Sequence, residues 1–551
     1  MLALLLAGLA LTTPVARAQT PCDSGSSDIF LGLQSQEQVN QFGSLNCTGM
    51  ARGLWISGAD ITSLAPLSSL TQLGGGLVIQ DNLALQSLSG LGGITATGGD
   101  VTIRNNSGLQ TLGGLGALTS IGGKLTIEGN SVLAALGLHA LASVDREIEI
   151  ADNPALKILS GLKATTTSLV IARNGALENL DGITASYEGL NIRDNGVLAD
   201  ISGLAGSTFR PSGAGAPVSI SIRGNSALTT LAGLPTPPSL GSLSILYNPV
   251  LANVDALSGL TSVRVLTETH DSGHVIFLAL GNVFIWDNPK LQNLDGLADL
   301  TVIEGVLSLR NNTALPNLAG LRSLSSIGED LEVSGHGSLS DISGLGALAS
   351  VGGFLGIADN PVLPTLDGLS SLTSIGAGFY LRNNDALTSI SGLSGLSSVA
   401  GTLSIRDNDA LTTLGGLDGV TSVGFEYSFE DPGNLSVEDN NALVNVDALA
   451  SLGAIRGSLK IRNNPALQNL NGLAAVRKIG DNLTVTTNAV LSTCSCGLYP
   501  VLSTGGVEGA ITIADNAPGC NAVAEITIPS VCSPVSPRQS TLFLPLMQGS
   551  Q

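Results

Sequence analysis

Residues 109–130 read LQTLGGLGALTSIGGKLTIEGN, and the aliphatic positions in this stretch, Leu109, Leu112, Leu115, Leu118, Ile121, Leu125 and Ile127, decide the fold. A helix buries residues at mixed steps of three and four and disfavours adjacent glycines, whereas the closing Leu125-Thr126-Ile127 alternation is the period-two signature of a strand. The stretch therefore ends in a short strand with Leu125 and Ile127 facing inward and Thr126 and Glu128 facing outward. Gly122 and Gly123, just before that strand, suit a tight corner in which glycine supplies positive φ.

The same unit recurs along the chain. Its asparagine stands at Asn82, Asn106, Asn130, Asn153, Asn174, Asn195, Asn225, Asn248, Asn288, Asn312, Asn360, Asn384, Asn408, Asn440, Asn464, Asn488 and Asn516, with His336 in one slot, and most steps are 24 residues. A strand and an asparagine in every 20 to 29 residues mark a solenoid, in which each coil buries its apolar edge against the next. The pattern predicts an all-β-rich, helix-poor solenoid of parallel coils. With a degenerate first coil at residues 54–61 there are about 19 coils. At about 4.8 Å per strand these would make a parallel sheet roughly 90 Å long. The asparagine lies where the chain leaves the strand, and a short amide that both donates and accepts suits a ladder bonded to buried main-chain groups of adjacent coils.

Composition agrees with repetition. Aromatic residues make up 3% of the 551-residue chain and charged residues 12%, against 70 glycines, so the core is built from Leu, Ile and Val rather than from a mixed globular set. The formal charge of −20 repels phosphate backbones and anionic lipid, which disfavours nucleic-acid and membrane-surface partners. Residues 1–18 have the apolar run and small residues, Ala16 and Ala18, of a signal peptide, and no stretch is long enough to span a bilayer. The six cysteines lie at the two ends, as disulfide-stapled caps would place them. Cys22 pairs with Cys47 in this reading; Cys494, Cys496, Cys520 and Cys532 allow three pairings, of which Cys494 with Cys496 is the poorest geometrically. The expected organisation is a signal peptide at 1–18, an N-terminal cap at 19–53, the repeat solenoid at 54–520, and a C-terminal cap with a proline-rich tail at 521–551.

The motif L-T-S-I-G-G-x-L-x-I-x-x-N-x-x-L, as in residues 118–133 and again from Leu372, resembles the receptor L-domain branch of the leucine-rich repeats. Asn46-Cys47-Thr48 ahead of the first G-x-L-x-I strand looks like that family's N-terminal cap. The spacing N-x-x-L, in place of the N-x-L of typical leucine-rich repeats, and the number of coils depart from the family. The resemblance implies a right-handed, helix-poor parallel β-solenoid serving as a binding or cell-surface scaffold.

No G-x-S-x-G elbow, H-E-x-x-H or phosphate loop occurs, so the expected protein is no enzyme and needs no cofactor. Candidate sites lie where the repeat is interrupted. Three longer coils carry extra residues before the strand, at 206–218, 264–281 and 424–433, and gather aromatics at Phe209, Phe277, Phe425, Tyr427 and Phe429. Phe284 and Trp286 occupy outward strand positions and call for a partner, either an external ligand or the 264–281 segment folded back over them. His270, Asp271 and His274 in that segment are a weak metal-ligand candidate. Arg104, Arg193, Arg223, Arg310, Arg382, Arg406 and Arg462 stand two before the ladder residue, and Asp81, Asp152, Asp194, Asp287, Asp359, Asp407, Asp439 and Asp515 directly before it. Alternating charge of this kind is a solvated surface or a track for an extended polymer such as a glycan. The sequons at Asn46, Asn105, Asn311, Asn434 and Asn482 matter only in a host that glycosylates. The resulting expectation is a secreted or cell-envelope adhesion scaffold that binds a protein or glycan through its outer strand face and inserted loops. A structural surface-layer spacer is the alternative, and a polysaccharide-active β-helix enzyme the third reading.

Overall fold

The computed structural model describes residue 22 and residues 29–159, 161–210, 218–269, 275–424 and 433–527, with backbone alone for 266–269 and 275–279. The described residues fall into two compact units, one ending at 154 and taking in 161–164, the other comprising 155–159 and 165 onward. Each is a helix-poor parallel solenoid of leucine-rich coils, as the period-two alternation requires.

In the first unit six strands stack in parallel, from Phe30–Leu33 and Gly53–Ile56 through Leu125–Glu128 to Glu147–Ala151. The stack thus begins one strand earlier than the repeat motif does, because the cap contributes Phe30–Leu33. The cap helix Gln36–Ser44 starts at Ser35, whose side chain accepts from the Gln38 N–H. Gln36 Oε1 accepts from the N–H groups of Thr62 and Ser63 at 2.9 and 3.0 Å, which pins the helix to the first coil. In the second unit fourteen strands stack in parallel from Ser168–Ala172 to Ile511–Ala514. A second ladder of two-residue strands, such as Ser326–Ile327, and a stack of 3-10 turns, such as Asp367–Leu369, complete many of the coils.

Inward Leu, Ile and Val side chains fill the coils, and nearly all are inaccessible to solvent. The ladder asparagines from Asn82 to Asn488 are fully buried as well, and Asn516 in the last coil is half-buried. Asn106 shows how they are satisfied: its N–H and Nδ2 both donate to Asn130 Oδ1 at 3.1 and 3.2 Å, and Nδ2 also donates to Ile79 O at 2.9 Å. Its own Oδ1 accepts from the N–H and Nδ2 of Asn82. The amide spends both of its chemistries on adjacent coils, which makes a continuous buried network.

Two sequence readings need correction. Gly122 and Gly123 do not have positive φ. They are glycine because neighbouring backbone approaches closely: a Cβ on Gly122 would lie 2.6 Å from Gly98 O. Left-handed backbone occurs instead immediately before the ladder residue, with φ between 52° and 58° at Asp81, Arg173, Asp194, Asp287, Asp359, Asp407, Asp439 and Asp515 among others. Asp and Asn tolerate this conformation better than other residues with a Cβ. The run of acids is therefore first a backbone requirement and only second a charge pattern. Asp and Asn alternate there to good effect: Asn383 Nδ2 donates to Asp359 Oδ1 at 2.7 Å and Asn463 Nδ2 to Asp439 Oδ1 at 2.6 Å. Where two acids follow each other, burial and then the nearby Asp439 push the Asp407 carboxyl above its usual range.

Cys22 is bonded to Cys47 and Cys494 to Cys520, with Cα–Cα distances of 6.0 and 5.5 Å. Cys496 is also disulfide-bonded, and Cys532 lies outside the described residues. Cys494 immediately precedes the helix Ser495–Ser503. No helix among the described residues is long and apolar enough to cross a membrane.

His336 interrupts the ladder. Its Nδ1 and Nε2 each lie 3.2 Å from a carbonyl oxygen, of Asn312 and Leu309 respectively. A neutral imidazole donates from only one nitrogen, and burial pushes this one below its ordinary pKa. The Asn312 N–H also loses the side-chain oxygen that serves its counterparts. His336→Asn should therefore stabilise the protein by about 1 kcal/mol, read as a higher urea midpoint at pH 7. Because the folded-state pKa is lowered, His336 contributes stability above its unfolded value of about 6.5 that is lost as pH falls below it. The gap between variant and wild type should widen from pH 7 to pH 5, and a gap that narrows would count against this account. At Asp439, Gly should be tolerated about 1 kcal/mol better than Ala, since both remove the carboxylate and only Ala resists positive φ. Equal midpoints for the two would return the acid column to a role in charge.

Candidate functional site

Strand register in the second unit sets the outward residues in two columns. Phe284, Ser308, Glu332, Gly356, Tyr380 and Ser404 follow one another in the first, and Trp286, Arg310, Ser334, Ala358, Arg382 and Arg406 in the second. Most coils present Ser, Thr, Glu or Arg here, and the aromatics and the Gly356–Ala358 pair are among the exceptions, with Val170, Ala172 and Leu246.

Phe284 and Trp286 pack on each other with centroids 4.9 Å apart, and both are half-buried. Trp286 Nε1 donates to Ser308 Oγ at 2.9 Å, and Ser308 Oγ donates to Glu332 Oε2 at 3.0 Å. The guanidinium of Arg310 lies 4.8 Å from the centre of the Trp286 ring and is fixed there by Glu332, which accepts from its Nε at 2.6 Å. A cation over an indole face is attracted by the ring quadrupole, so Arg310 and Trp286 hold each other in place.

Three coils on from Phe284 and Trp286, Gly356 brings no side chain to the outer face and Ala358, itself buried, only a methyl. The result is a depression of about 410 Å³ bordered by Glu332, Phe354, Tyr380, Arg382, Ser404 and Arg406. Phe354 and Tyr380 form one wall with centroids 5.8 Å apart. Asp330 Oδ1 accepts from the Phe354 N–H at 2.7 Å and fixes the corner from which that ring projects. On the other side Arg382 lies 3.8 Å from Asp359, and Arg406 3.8 Å from Glu438. Both ion pairs are long, and Arg382 and Arg406 are exposed although Glu438 is buried, so both guanidinium groups keep donors for a ligand.

The three lengthened coils differ in what the structure brings to this face. In the first, residues 202–206 and 208–209 are the coil's own 3-10 turn and short strand, and Phe209 packs edge-on against buried Tyr187 at 4.9 Å. In the second, Val265–Thr269 and Val275–Leu280 pair as an antiparallel hairpin. Its feet remain part of the coil: the N–H of Arg264 donates to Leu240 O and that of Gly281 to Gly241 O. His270, Asp271 and His274 lie outside the described residues, as do Phe425, Tyr427 and Phe429 of the third coil, and no side chain is described for Phe277. Of the residues singled out by sequence, the face therefore carries Phe284 and Trp286 together with Arg310, Arg382 and Arg406. Sequence reasoning missed Phe354, Gly356 and Tyr380; the signal was a glycine and an aromatic at outward strand positions that in most coils are polar, with Phe354 at the corner just before its strand.

The neighbours of Trp286 make a measurable difference. In a Trp55→Phe background, which leaves Trp286 as the only tryptophan of two, Arg310→Ala should raise the acrylamide quenching constant. An unchanged constant would mean that the ring is screened by something other than Arg310.

No family model matches this chain, and no curated protein matches it in sequence. Among solved structures, the chain is similar to the crystal structure of an internalin from Listeria monocytogenes, with 13% identity over 86% of this chain and 88% of that one and a TM-score of 0.23.

Proposed function

We propose that this protein is a secreted or cell-envelope binding scaffold without catalytic activity, which recognises a protein or glycan through the outer strand face of its second unit. The observation that carries this reading is the depression that Gly356 and Ala358 open in a mostly polar face, with Phe354 and Tyr380 alongside. Solenoid coils need only their inward residues and ladder to stack, so a depression walled by exposed aromatic surface adds nothing to folding. Disulfides at both ends support an oxidising compartment. A surface-layer spacer is the second reading, and it draws on Trp286, whose ring and N–H are engaged within the protein.

Saturation binding of the full chain to arrayed glycans and arrayed extracellular protein domains tests the proposal. The double variant Trp286→Ala, Tyr380→Ala should weaken the captured ligand at least tenfold, about 1.4 kcal/mol, in a chain that remains folded by circular dichroism. Absence of any saturable ligand would favour the spacer.

A further inference from the structure

The outer face has two aromatic platforms, and strand register puts Phe284 of one and Tyr380 of the other in the same column. Four strand steps separate them, about 19 Å at ~4.8 Å per strand. A small molecule in the depression reaches only the Tyr380 platform. A polymer lying along the strand stack reaches both.

Charge narrows the polymer. Glu332 is matched by Arg310, Arg382 faces Asp359, and Arg406 faces Glu438. Of the charges at the depression, Glu332, Arg382 and Arg406 each have an opposite one beside them and Asp330 accepts from the Phe354 N–H, so a polyanion would meet carboxylates and a polycation would meet guanidinium groups wherever it lay. A neutral chain rich in hydroxyls meets neither penalty, because paired Arg and Glu offer it both donors and acceptors. The aromatic rings supply flat apolar surface for the C–H face of a sugar ring, the combination of apolar wall and few polar groups that small-ligand sites use. We infer that this face binds an extended neutral polysaccharide, with one pyranose ring seated over Gly356 and Ala358 against Tyr380 and Phe354. The inference rests on the scaffold reading above and narrows its ligand to one class.

Gly356 allows a test that spares the fold. A Cβ there would meet nothing nearer than Glu332 Cγ and Leu331 O, both at 3.9 Å, and the backbone is not left-handed, so Gly356→Trp should fill the depression without strain. The experiment is affinity electrophoresis of the full chain in gels containing a β-glucan, a galactomannan, polygalacturonate or chitosan, with a thermal melt for each variant. At least one neutral polymer should retard the wild type, and Gly356→Trp and Tyr380→Ala should each raise its dissociation constant tenfold or more at unchanged midpoint. Equal retardation of all three proteins overturns the site. Retardation by charged polymers alone overturns the ligand class, and its loss in Gly356→Trp would show that the scaffold reading survives. No retardation by any polymer overturns the inference, and the scaffold reading then depends on the protein arm of the array.

Discussion

The carbonyl oxygen of one side chain per coil governs this structure. At Asn106, Asn130, Asn408 and their equivalents the Oδ1 accepts two hydrogen bonds from the previous coil, and the matching Nδ2 donates one to a main-chain oxygen there. Without that oxygen each coil would bury an unpaired N–H at the point where the chain turns out of its strand, a loss of about 1–3 kcal/mol per coil. The demand propagates outward. To aim the amide inward, the preceding residue must be left-handed, which selects Asp, Asn and Gly; to let coils approach, the turns must be stripped of side chains, as at Gly344, where a Cβ would lie 1.8 Å from Leu318 O.

This explains what could be read from sequence and what could not. The strands, their inward Leu and Ile residues, the asparagine ladder and the Cys22–Cys47 bond were legible because each has a short-range signature in residue type and spacing. The reasons behind the glycines and aspartates were not. Both depend on what the adjacent coil presents 24 residues away, and a glycine chosen for close approach looks the same in a sequence as one chosen for positive φ. The same blindness affected the candidate site. Phe284 and Trp286 stood out as large residues in polar positions, whereas the depression at Gly356 and Ala358 is an absence of side chains and shows only when strands at 331–334, 355–358 and 379–382 are set side by side.

The outward columns are the complement of the ladder. Inward residues are fixed by packing and the turn residues by backbone conformation, which leaves the outward positions of each strand under little structural constraint. Departures there, an aromatic, a glycine or an arginine over a tryptophan, alter the surface without altering the coil. A repeating fold thus separates the residues that build it from those that can acquire a role, and the latter lie on one face in known register.

The corner before the strand has a further property. Regular ladder steps of 24 residues become 40 between Asn248 and Asn288 and 32 between Asn408 and Asn440, yet the asparagine bonds across both are intact. The extra chain leaves and re-enters at nearly one point: a Cβ on Gly424 would lie 2.5 Å from the Cα of Gly433. Chain added there pays only for closing its own loop, a cost that grows slowly with length. The corner therefore works as a socket, where segments of differing length can be exchanged over evolutionary time while the coils on either side keep their register.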